Sequence, residues 1–133
     1  MKKLALILLM LVLSQTVISK EMLDEQSCSG TNNAYDSTFC WAKLLVNSDN
    51  ELNRSYKLLR NLLSPAEQES LKSAQFSWLD YRDKNCSGKS GNKGTIDLFC
   101  ATNLNLERVK LFKLYLKNCG NRDCNKEMLF QHF

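Results

Sequence analysis

Histidine is nearly missing from this chain: the single one, His132, stands next to the last residue. The body of the chain therefore has no imidazole for a serine–histidine pair, a general base or a cysteine–histidine zinc site. Proline occurs once and glycine five times, at 30, 88, 91, 94 and 120. Three long stretches run without a breaker, and β-branched residues are few, which argues for helices and against a sheet. Long apolar runs are absent apart from Leu4–Leu13, about half of the roughly 20 residues that a membrane-spanning helix needs. No two cysteines have the C-x2-C spacing of a zinc site, so neither a metal nor a cofactor is expected. A large excess of one charge is missing too. The formal net charge is +4, and it falls to about +2 without Lys2 and Lys3, too weak and too evenly spread for nucleic-acid binding.

What is present starts with an export signal. Lys2 and Lys3 form a basic n-region, Leu4–Leu13 an apolar core, and Ser14–Ser19 a short polar stretch with Val17 two residues before its end. Residues 1–19 are expected to be a cleaved signal peptide. The first cysteine, Cys28, has no small-residue lipobox ahead of it, so no lipid anchor is expected. The mature chain, Lys20–Phe133, is one domain, periplasmic or secreted. Its six cysteines in an oxidising compartment read as three disulfides, each worth about 2–4 kcal/mol.

Three helices are expected. The first runs from about Tyr35 to Leu63, with Leu45, Leu52, Tyr56, Leu59 and Leu63 at helical steps. Ser64-Pro65-Ala66-Glu67 follows: a serine cap, a proline at the first helical position and a glutamate three residues on make a capping box. The second helix runs to about Asn85, and so short a connection forces the pair antiparallel. The third runs from about Thr95, as N-cap, to Asn118, with Asp97 at its positive end, Lys113 and Lys117 at its negative end, and Gly120 as terminator. Residues 119–133 form a disulfide loop and a tail, with room for one helical turn in Lys126–Phe133. The fold class is all-α: an antiparallel helical hairpin plus a third helix, a three-helix bundle braced by disulfides.

The hairpin brings Cys28, Cys40, Cys86 and Cys100 to one end, which permits three connectivities. We favour the sequence-local pairs Cys28–Cys40 and Cys86–Cys100. Cys119–Cys124 would close a small loop at the other end.

Polar residues fall on the apolar seam. Asp49 is in register with Leu45, Leu52 and Tyr56; Gln75 and Arg82 share a face with Leu71 and Trp78; Glu107 and Arg108 lie between Leu104 and Leu111. Charges on such a stripe are costly unless paired, so they are expected to meet one another, Asp49 with an arginine. One reading is a structural network fixing helix register; the other is a polar groove for a partner. Trp78 and Tyr81 would suit a sugar platform, but the seam position of Trp78 favours core packing.

These same positions carry a family resemblance. Ser48-Asp49-Asn50-Glu51-Leu52-Asn53-Arg54-Ser55-Tyr56 resembles the aD-x-eLN-x-x-Y signature of the lysozyme inhibitor LprI-like domain family. Leu71 to Cys86, with Gln75, Trp78, Tyr81, Arg82 and Asp83, resembles its L-x-x-aQ-x-x-W-x-x-yRd-x-x-C core. A glycine-containing loop, Cys100 and Glu107-Arg108 complete the order over about Cys28–Leu116. Cys119 and Cys124 look like an addition to the usual four cysteines. The resemblance implies a small exported helical domain, a polar network of Asp49, Asn53, Tyr56, Gln75, Trp78, Arg82 and Arg108, and for some members inhibition of lysozyme.

The segment Cys86–Gly94 is the one stretch suited to acting on a partner. Gly88-Lys89-Ser90 is not a phosphate loop, since Asp83 stands where the motif needs glycine. As a basic finger pinned by a disulfide, Lys89, Ser90 and Lys93 could meet the carboxylates in a muramidase cleft. A domain near +2 gains no long-range attraction to basic lysozymes, so local acidic pairs, Glu67 with Glu69 or Asp80 with Asp83, would have to compensate. No catalytic constellation is present. The expected role is a non-enzymatic exported binding protein that occludes a muramidase cleft; the alternatives are an envelope interaction module with another protein partner and, more remotely, a small hydrolase.

Overall fold

The computed structural model describes residues 28–88, 94–119 and 125–133. The signal segment, Lys89, Ser90, Lys93, Gly120 and Cys124 lie outside them, and with Cys124 the Cys119–Cys124 pairing. Three helices dominate: α1 (Ala34–Arg60), α2 (Pro65–Cys86) and α3 (Leu98–Cys119). Between α2 and α3, β1 (Ser87–Gly88) pairs antiparallel with β2 (Thr95–Ile96). A single 3₁₀ turn, Glu127–Phe130, follows. No helix among the described residues is long and apolar enough to cross a membrane.

The connection between α1 and α2 forms as its residues dictate. Ser64 Oγ accepts from the Glu67 backbone N–H at 3.5 Å, and the Ser64 N–H donates back to Glu67 Oε2 at 2.8 Å, the reciprocal capping box. Helix α1 stops three residues before Leu63, which is buried in the turn instead. The expected start of α3 is corrected. Thr95 does not cap it but belongs to β2, and the cap is Asp97, whose Oδ1 accepts from the Cys100 N–H at 2.9 Å. The backbone N–H of Asp97 in turn donates to the Cys86 carbonyl at 2.8 Å. Pairing of β2 with β1 thus takes Thr95 out of helical geometry and moves the helix start by two residues. Gly88 has a reason to be glycine, because a Cβ there would collide with the Thr95 side chain.

The three helices are not equally close. Trp41 meets Phe99, Ser48 meets Asn105 and Tyr56 meets Phe112, so α1 and α3 run in the same direction along their length. Helix α2 runs against both, with Arg82 reaching Asn105 and Gln75 reaching Arg108. Packing is tightest between α1 and α3, and α1 and α2 stand further apart. The buried stripe of α1 shows why. It is Leu44, Ser48, Leu52, Ser55 and Leu59, not the expected line through Leu45, Asp49 and Tyr56, which flank it. Serine carries so little bulk that α3 comes close, presenting Ala101, Thr102 and Asn105. The Ser48 hydroxyl donates to the Leu45 carbonyl at 2.9 Å, so its burial leaves no donor orphaned.

The core gathers Leu52, Leu59, Leu63, Leu71, Trp78, Val109, Phe112, Tyr115 and Leu129. Leu129 is fully buried, so the tail is part of the core rather than an appendage. Two disulfides, Cys28–Cys40 and Cys86–Cys100, join the expected partners at the same end of the bundle.

Candidate functional site

Because α1 and α2 stand apart, a groove opens between them. Its wider part has a volume of about 500 Å³ and is walled by Leu45, Val46 and Asp49 of α1, Arg82 and Asp83 of α2, and Ile96 and Ala101. A second recess of about 290 Å³ shares Asp49 and continues along Asn53, Tyr56, Gln75 and Leu79. Five of the motif residues, Asp49, Asn53, Tyr56, Gln75 and Arg82, therefore line one continuous surface.

Arg82 organises the wider part. Its Nε and Nη2 both donate to Asp83 Oδ1, at 3.0 and 2.8 Å, and its Nη1 donates to Asn105 Oδ1 at 3.0 Å. Asn105 is itself buried and donates from Nδ2 to Ser48 Oγ at 3.2 Å. This chain of bonds holds the guanidinium from beneath. Asp49 Oδ1 lies 3.7 Å from Arg82 Nη1, an ion pair at longer range than a hydrogen bond, and Asp49 Oδ2 accepts from Asn53 Nδ2 at 3.0 Å. The expected meeting of Asp49 with an arginine is therefore present, and Arg82 is the partner.

Trp78 and Arg108 are brought together deeper in the bundle, where α2 meets α3 and the tail. Trp78 is buried, as the core reading of its position required. Arg108 is only 3% exposed. Its Nε donates to Gln75 Oε1 at 3.2 Å, while Nη1 and Nη2 have no acceptor. The guanidinium lies 4.9 Å from the Phe112 ring centre, 5.5 Å from that of Phe133 and 5.7 Å from that of Trp78. Aromatic faces attract a cation, and that offsets part of the cost of burying it. Burial still pulls the Arg108 pKa down from 12.5 to about 10. Glu107, expected on the seam beside it, is exposed instead; one residue along a helix is a rotation large enough to turn it to water.

The acidic pairs expected to compensate for the positive charge are met by cations of their own. Glu67 receives Lys126 at 2.7 Å, Glu69 faces Lys72 at 3.6 Å, Asp80 faces Lys84 at 2.6 Å, and Asp83 holds Arg82. Hydrogen bonds from Lys126, then from the backbone and hydroxyl of Ser64, lower the Glu67 pKa from 4.5 to about 2. Among the described residues no cluster of side chains suits a metal ion.

The composition did not single out the tail. Lys126 anchors it to Glu67, the backbone N–H of Phe133 donates to Ser77 Oγ at 3.0 Å, and the Phe133 ring lies 5.4 Å from that of Tyr81. Its apolar run Met128-Leu129-Phe130 was the available signal. No curated protein and no solved structure matches the chain. Residues 25–111 match the model of the family described as lysozyme inhibitor LprI, more than half of the chain, and the chain therefore belongs to that family.

Proposed function

We propose that this chain is an exported, non-enzymatic binding protein that inhibits a muramidase by occluding its catalytic cleft. Membership of the lysozyme inhibitor LprI family carries this reading. The disulfides agree with it, since such crosslinks persist outside the cytoplasm. Residues 1–19 act as the cleaved signal in this reading, and mass spectrometry of the exported protein should find Lys20 at its N-terminus.

An inhibitor of this kind needs a projecting element to enter a cleft that works with two carboxylates. The segment bearing Lys89, Ser90 and Lys93 is our candidate. Its base is closed by Cys86–Cys100 and by the β1–β2 pairing, and a constrained base reduces the ordering cost of binding. The purified domain titrated into a muramidase turnover assay should abolish turnover at about one equivalent when the concentration exceeds Kd. Unchanged turnover at large excess refutes the reading, and wall breakdown by the domain alone would make it a hydrolase. Lys89→Ala with Lys93→Ala should weaken inhibition without moving Tm; equal inhibition would remove the segment from the interface.

A second reading, an envelope module for a different protein partner, is favoured by one observation. Tyr35 and Phe39 lie one helical turn apart on α1 and are 79% and 63% exposed, aromatic surface that a protein partner would cover.

A further inference from the structure

We infer that the groove between α1 and α2 is a receptor for a basic side chain, arginine or lysine, presented by the protein partner. The inference deepens the inhibitor reading and rests on it for the identity of the partner. Three observations point to this occupant. The first is a local charge imbalance: among the described residues the groove holds two carboxylates, Asp49 and Asp83, and one cation, Arg82. Asp83 takes two of the guanidinium donors and buried Asn105 a third, so Asp49 is left with the longer 3.7 Å contact. The acids at Glu67, Glu69 and Asp80 each have their own cation, whereas Asp49 shares one. The second is accessibility. The Asp49 and Asp83 side chains are 48% and 64% exposed, and Arg82 is 17% exposed, so the positive charge is sunk and the negative charges stand at the rim. The third is the wall: Leu45, Val46, Ile96 and Ala101 are apolar, and Val46 and Ile96 remain 60% and 63% exposed with that surface uncovered.

An arginine or lysine has the complementary form. Its aliphatic stem suits the apolar wall and its charged head suits carboxylates, a combination that long basic side chains adopt at interfaces. The 500 Å³ of the groove exceeds the volume of one such side chain, leaving room for its neighbours in the partner. The groove thus supplies close-range attraction to a basic partner that the small positive net charge of the whole domain does not.

The test uses the mature domain in three forms: wild type, Asp49→Asn with Asp83→Asn, and Val46→Arg, which fills the groove from its own rim. Val46→Arg should keep the wild-type Tm, since Val46 is 60% exposed; the double variant leaves the partly buried Arg82 without an anion, so all three forms are compared well below the lowest Tm, where each is folded by circular dichroism. Each is titrated into turnover of a basic muramidase. Separately, each is titrated with N-acetyl-arginine methylamide while the amide resonances of Ile96, Ala101 and Asn105 are followed by NMR. Wild-type inhibition that weakens about tenfold or more in both variants supports the inference. Equal inhibition by all three overturns it and leaves the inhibitor reading standing. Without wild-type inhibition, shifts of these resonances by the arginine amide, lost in both variants, support the groove while the inhibitor reading fails. No shift and no inhibition overturn both.

Discussion

Two arginines approach the ring of Trp78, Arg82 at 5.5 Å and Arg108 at 5.7 Å, in contrasting surroundings. Arg82 stands in the groove with two carboxylates and an amide. Arg108 is sealed among three aromatic rings, with Gln75 for a single hydrogen bond. The contrast separates two uses of one residue type. A guanidinium with every edge engaged organises a surface that a partner can touch; one sealed beneath rings specifies how α2, α3 and the tail fit together. The seam thus holds a sealed network around Arg108 and an open groove around Arg82, and the partner role of that groove is the proposal made above.

The largest test removes what the two arginines share. Trp78→Ala should cost about 3–5 kcal/mol, because it empties a fully packed site and withdraws the ring from both cations; denaturant unfolding measures it. Arg82→Met should cost about 1–3 kcal/mol, since buried Asn105 loses a donor and two carboxylates lose their common cation. Arg108→Met should raise stability by about 1 kcal/mol, because a side chain of similar length fills the space without two orphaned donors. A fall in stability would erase the contrast and show that the ring contacts outweigh those donors. Smaller still is the tie at the top of α2, where the Glu67 pKa of about 2 lies below its ordinary 4.5. The unfolded chain then takes up the proton first as pH falls, so stabilisation is complete above about pH 4.5 and gone below about pH 2. Glu67→Gln should lower the unfolding midpoint at pH 7 and match wild type near pH 2. The pair is only partly buried, and solvent screening keeps the effect modest. Asp49→Asn should change stability least, by under about 0.5 kcal/mol, for the same reason.

Much of this architecture was readable from residues. The capping box at Ser64 and the three helices follow from local chemistry; helix length brought four cysteines to one end but left three pairings open, and the favoured sequence-local one is the one formed. The register of α1 did not. Leucine spacing pointed to Leu45 and Asp49, whereas Ser48 and Ser55 face the core, because hydropathy counts a hydroxyl as polar even when it bonds its own helix. Asp97 displaced Thr95 as the cap through a two-residue strand pairing too short to leave a pattern. Arg82 and Arg108 could both be placed on the seam, but which one faced a groove depended on the distance between α1 and α2, and no single helix encodes that distance. The docking of Leu129 depended in the same way on a space built by other segments.

Both described crosslinks clasp the end of the bundle at which α1 and α3 begin. Opening one of them should therefore act locally. Cys28→Ser with Cys40→Ser should speed deuterium exchange of the amides near the start of α1 more than of those near Leu62 and Leu63 in the distant turn.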